Sequence, residues 1–155
     1  MKFAKLSLAV FILDRLTKFL VRHFMFEGES IPIIENVFHL TYYRNPGAAF
    51  SLFEHKRAFF IVVTMVILGV ILYYYFNLPE DKKAARFALA LQFGGAVGNL
   101  VDRILSGYVV DFLDFRFWPV FNIADSAIFI GVFILCWEIL TWPKEEDKPH
   151  HQQEN

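Results

Sequence analysis

Residues 58–76 read AFFIVVTMVILGVILYYYF, with Arg57 before the run and Glu80 after it. No charge interrupts it. A stretch of about 20 apolar residues can cross the hydrocarbon core of a bilayer as a helix. Tyr73, Tyr74 and Tyr75 at its end read as an aromatic anchor at the membrane interface.

Working outward, three further stretches have the length of a span but carry polar residues. The first holds Lys5, Asp14, Arg15, Lys18, Arg22 and His23. The next holds Gln92, Asn99, Asp102 and Arg103. The last holds Asp125, Ser126, Glu138 and Thr141. The expected architecture is an all-α integral membrane protein in a single domain, residues 1–155, with four transmembrane helices at about 4–24, 58–77, 87–105 and 123–142. The first span is not expected to be a cleaved signal peptide. Its apolar run meets Asp14, Arg15 and Lys18, and it has no small-x-small cleavage site. Lys and Arg in the connections, above all Lys82, Lys83 and Arg86, favour a cytoplasmic N-terminus. Both termini are then cytoplasmic, including the polar tail 143–155.

Composition agrees with a membrane protein. Of 155 residues, 56% are hydrophobic and 20% charged, where soluble domains hold about 45–50% apolar residues. This argues against a disordered chain and an ordinary soluble domain. A net charge of −1 offers no basic surface for nucleic acid. Cys136 cannot form an internal disulfide and reads as a small buried residue. Residues 25–57 are too long for a mere connector. Within them, IPIIENVFHLTYYR (31–44) is rich in β-branched and aromatic residues, and Asn45-Pro46-Gly47 reads as a turn. A small extracytoplasmic β-sheet on the outer membrane surface is expected there.

Charge inside a membrane helix is costly and needs a partner or a job. Arg15 and Lys18 read as bundle pairing or as snorkelling to the interface. Asp102 beside Arg103 reads as an ion pair, and Asp114 as a surface residue. Gly94 and Gly98 read as a small-residue packing face. Asp111, just past the third helix, and Asp125, in the first turn of the fourth, fall at the same membrane face. Two readings stand for Asp125. It can complement the helix dipole with Asn122 as cap. It can also pair with Asp111, since two carboxylates close together share one proton and serve as base and acid.

Together these segments resemble the bacterial lipoprotein signal peptidases, the signal peptidase II family, over nearly the whole chain. The matching blocks are DRLTK (14–18), YRNPGAAFS (43–51), GGAVGNLVDR (94–103), VVDF (109–112) and FNIADS (121–126), in that order. The stretch from Asp111 to Asp125 is shorter than in many relatives. The resemblance implies a membrane aspartic endopeptidase. It would remove the signal peptide from diacylglyceryl-modified prolipoproteins, cutting before the lipidated cysteine. It implies Asp111 and Asp125 as catalytic, and Asp14, Asn45, Asn99, Arg103 and Asn122 as substrate-binding or supporting residues. It implies no metal and no cofactor. The implied partners are the prolipoprotein substrate, membrane lipid and a globomycin-type inhibitor. The chain is read as a monomer of the bacterial cytoplasmic (inner) membrane, with the active site on the extracytoplasmic face. Three rival readings remain: a serine peptidase using Ser51 with Lys56 or Lys18, a proton-coupled transporter, and a membrane scaffold.

Overall fold

A computed structural model describes residues 2–47 and 57–141. Ala48 to Ser51 of the second block, His55 and Lys56, and the tail 143–155 lie outside the described residues. The elements are α1 (Lys2–Phe24), β1 (Ser30–Ile34), β2 (Phe38–Asn45), α2 (Arg57–Asn77), α3 (Lys83–Ser106), β3 (Val109–Asp114) and α4 (Ile123–Leu140). Among the described residues, α2, α3 and α4 are long and apolar enough to cross a membrane. α1 has comparable length at 23 residues, but its charged positions lower its apolarity.

α3 is the central helix and packs on α1, α2 and α4. Its small residues permit this. A Cβ added at Gly94 would stand 2.6 Å from the Ser7 carbonyl of α1, and one at Gly98 would stand 2.5 Å from Asp14 Oδ2. A Cβ at Gly95 would collide with the Ala124 carbonyl of α4. The packing face therefore serves the bundle's own helices, α1 and α4. On α1 the buried residues Ser7, Val10, Asp14, Lys18 and Val21 recur at helical spacing and form one stripe.

The sheet runs β1-β2-β3, antiparallel throughout. The first two strands fall in the expected segment. β3 is an addition, because the residues after α3 pair with β2 instead of forming a plain connection. Gly107, at φ +82°, closes α3 in the left-handed conformation and frees the chain to turn into β3. Val109 to Phe112 are all buried, so both faces of the strand are covered, and α1 lies against one of them. Val110 and Phe112 pack there with Val21, Met25 and Tyr42.

Cys136, expected inside, is exposed on α4. The buried residues of that helix are Ala124, Ala127 and Gly131, so Cys136 falls on the opposite face with Phe129, Val132 and Phe133. In a membrane protein such an apolar face meets lipid.

Candidate active site

Asp111 reaches the site from β3 and Asp125 from α4. Register explains the first. Tyr43 of β2 pairs with Asp111, and Asn45 lies two residues further along on the same face. That makes Asn45 the diagonal neighbour of Asp111. Asn45 Nδ2 donates to Asp111 Oδ2 at 2.9 Å. The Asn45 carbonyl oxygen Oδ1 accepts the Gly47 N–H at 2.9 Å, the side-chain turn expected of Asn-Pro-Gly.

Helix capping explains the second. Asn122 is the N-cap of α4, and its Oδ1 accepts the Asp125 N–H at 2.9 Å. Asp125 Oδ2 accepts the Asn122 N–H at 3.3 Å, completing a capping box. Asp14 Oδ1 accepts the neighbouring Ala124 N–H at 3.1 Å. Three first-turn donors of α4 thus have side-chain acceptors.

The two carboxylates are joined through asparagines. Asn122 Nδ2 donates to Asp111 Oδ1 at 2.7 Å and to Asn99 Oδ1 at 3.2 Å. Asn99 Nδ2 donates to Asp125 Oδ1 at 2.7 Å. Both amide hydrogens of Asn122 are therefore used, and the residue is fully buried. Burial, reinforced by the charge of Asp125, pushes the Asp111 carboxyl up to about 7, against the opposing hydrogen bonds from Asn45 and Asn122.

Below this network lies a buried ion cluster that sequence reading assigned differently. Asp102 does not pair with Arg103. It pairs with Lys18 at 2.9 Å, with Arg22 at 3.0 Å and with Arg15. Adjacent helix residues point about 100° apart, so Asp102 faces α1 while Arg103 turns away. Lys18 is fully buried. Its Nζ lies 2.9 Å from Asp14 Oδ2, 2.9 Å from Asp102 Oδ2 and 2.8 Å from Asn99 Oδ1. An ammonium has three donors, and three acceptors surround it. Lys18 thereby supports Asn99, and through it Asp125. The sequence signal for this role was the i, i+4 spacing of Asp14 and Lys18.

Asp114 is also corrected. It is buried, and accepts from Thr41 Oγ1 at 2.8 Å and from Arg116 Nη1 at 2.8 Å. Burial would raise its carboxyl, but the bonds from Arg116 and Thr41 hold it below the usual range.

Arg103 makes no ion pair among the described residues. Its guanidinium lies over the Phe60 ring at 5.1 Å and lines a cavity of about 200 Å³ with Asp125, Asn99, Thr64 and Gln92. Buried Gln92 Nε2 has no hydrogen-bond partner among the described residues. The structure thus brings Asp111, Asp125, Asn45, Asn99, Asn122 and Asp14 into one network and sets Arg103 at the adjoining cavity. Of the serine-peptidase set, Ser51 and Lys56 lie outside the described residues, and Lys18 is engaged as above.

Apolar helices around a buried network centred on carboxylates define an integral membrane protein with an enzyme-like site at one end. A family model described as signal peptidase (SPase) II matches residues 6–141. The lipoprotein signal peptidase of Moorella thermoacetica is 51% identical over 140 residues, covering 90% of this chain and 93% of that one. That of Pelotomaculum thermopropionicum is 50% identical over 131 residues, covering 84% and 86%. A solved structure described as a bacterial membrane enzyme, determined by the in meso method at 2.3 Å, superposes with a TM-score of 0.85. It is 32% identical, and the match covers 99% of this chain and 93% of that one. The chain belongs to the signal peptidase II family, a family of bacterial membrane peptidases that cleave lipoprotein signal peptides.

Proposed function

We propose that this chain is an aspartic endopeptidase of the bacterial cytoplasmic membrane that cuts diacylglyceryl-modified prolipoproteins just before the lipidated cysteine. The observation that carries this reading is Asn122, which donates to Asp111 and caps the helix turn that carries Asp125. One buried side chain thus fixes the carboxylates of two elements.

In the proposed mechanism Asp111, the more buried of the two, holds the shared proton near neutral pH. Asp125, which lines the open cavity, takes a proton from water as the water oxygen attacks the scissile carbonyl carbon. Asp111 gives its proton to the carbonyl oxygen. Asp125 then protonates the leaving nitrogen, the C–N bond breaks, and a diol hydroxyl returns its proton to Asp111. Arg103 and Gln92, which line that cavity, receive substrate carbonyls in this reading. All four helices cross the membrane in this reading, with the N-terminus cytoplasmic and the carboxylates at the outer interface. A lipid anchor holds the scissile bond at that depth. Globomycin-type peptides would compete for the same cavity.

The test is signal-peptide release from a diacylglyceryl-modified prolipoprotein by the purified protein in detergent. Asp111→Asn and Asp125→Asn each lower turnover by about 10²-fold or more while the protein stays folded. Wild-type turnover by either variant would falsify the mechanism.

A further inference from the structure

The end of the bundle opposite the carboxylates holds a second cavity, of about 420 Å³. Among the described residues, Lys2 of α1 and Lys83 and Arg86 of α3 line it, against a single carboxylate, Glu80. Arg86 is fixed in place. Its guanidinium lies 4.3 Å from the centroid of the Tyr75 ring, and Nη1 donates to the Leu78 carbonyl at 2.9 Å. Among the described residues, no side chain caps the first turn of α3, so its N–H dipoles add to the positive field.

This basic cavity continues into an apolar furrow. Phe3 lines both, held between Tyr75 and Phe93 with centroids at 4.1 and 5.4 Å. The furrow, about 260 Å³, runs between α1 and α3 past Ala4, Phe11, Gly94 and Val97. From Lys83 to Val97, at 1.5 Å per residue, the two cavities together span about 20 Å. That is one leaflet: half of a hydrocarbon core about 30 Å thick, plus its headgroup layer.

We propose that this end of the bundle binds one anionic glycerophospholipid of the leaflet opposite the carboxylates. Its phosphate sits among Lys2, Lys83 and Arg86, and an acyl chain lies in the furrow. Charge excludes a zwitterionic lipid as the preferred occupant. The furrow favours a lipid over a free phosphate, which has no chain to fill it.

Native mass spectrometry of the full-length protein in mild detergent tests this, with phosphatidylglycerol and phosphatidylcholine of matched chains as probes. The wild type retains one phosphatidylglycerol with a preference of about tenfold or more, from about fivefold per cation. The double variant Lys2→Gln, Lys83→Gln falls to near parity. Ala4→Trp, which fills the furrow, lowers retention while leaving the cations in place. Glu80→Gln raises the preference, a gain that misfolding cannot produce. Equal retention of both lipids by the wild type would overturn the proposal. So would an unchanged preference in the double variant, or in Glu80→Gln. Displacement of the lipid by inorganic phosphate, with no effect of Ala4→Trp, would instead define a phosphate site and overturn the lipid reading. Each readout is independent of prolipoprotein cleavage, so the proposed chemistry and this site fail separately.

Discussion

Asp111 ties pH to both stability and rate. Its folded-state carboxyl titrates at about 7, up from 3.8, because it is buried and faces Asp125. A carboxyl raised on folding binds its proton more tightly in the native state. Its contribution therefore favours the fold below pH 4 and turns against it as pH rises toward 7. In the proposed mechanism the same proton is needed for turnover. The rate should fall about tenfold per pH unit above 7. A pH–rate profile flat from 6 to 9 would contradict this assignment. Asn45 donates to the ionised form, so Asn45→Ala should move the alkaline limb upward by about one unit, while an unchanged limb would mean Asp111 is not the titrating group. Lys18 acts one step away, through Asn99. Lys18→Met leaves Asp14 without its buried cation, whereas Asp102 retains Arg15 and Arg22. We expect a loss of about 3 kcal/mol in denaturant unfolding, and a change under 1 kcal/mol would show that the cluster is not needed for stability.

At the scale of elements, α4 shows what one helix does with two faces. A Cβ at Gly131 would stand 2.7 Å from the Ala88 carbonyl of α3, while Cys136 is exposed. Gly131→Leu should therefore cost about 1–3 kcal/mol or more by overpacking, and Cys136→Leu should stay within about 0.5 kcal/mol. Comparable melting for both would mean that α4 does not pack on α3 by this face. The same contrast explains what was legible beforehand. α2 announces itself because nothing polar interrupts it, and the long segment after α1 announces strands through its β-branched and aromatic residues. β3 was hidden: VVDFLD is short, and its identity depends on pairing with β2, a long-range contact that no local pattern encodes. Cys136 misled because an apolar run in a membrane helix is as often turned to lipid as to the core. Asp102 misled because its sequence neighbour Arg103 is not its spatial one. Asn122 and Asp125, by contrast, were legible as a cap and first-turn acid. What the sequence alone could not decide between, capping or pairing, the structure resolves as capping and contact with the asparagine network at once.

Across the whole molecule, five elements converge on the candidate site. α1 supplies Asp14 and Lys18, β2 Asn45, α3 Asn99 and Arg103, β3 Asp111, and α4 Asn122 and Asp125. Among the described residues, the buried charged groups Asp14, Lys18, Asp102, Asp111 and Asp114 lie toward the carboxylate end of the bundle, where a proton-coupled transporter would need them spread along a path across it. Exposed apolar side chains such as Val62, Val66 and Phe129 cover the outer surfaces of α2 and α4, the surface that a membrane-spanning helix presents to its surroundings. We propose that the site works within a single copy, which predicts no complementation. Asp111→Asn and Asp125→Asn proteins mixed in the same detergent or bilayer should show only the residual turnover of each alone. Wild type diluted with either variant should lose activity in simple proportion to its fraction. Recovery in the mixed variants would require the two carboxylates to meet across a subunit boundary. The hydrogen bond from Asn122 to Asp111 and the capping box it shares with Asp125 would then have to form between chains, contrary to the single-chain network described above.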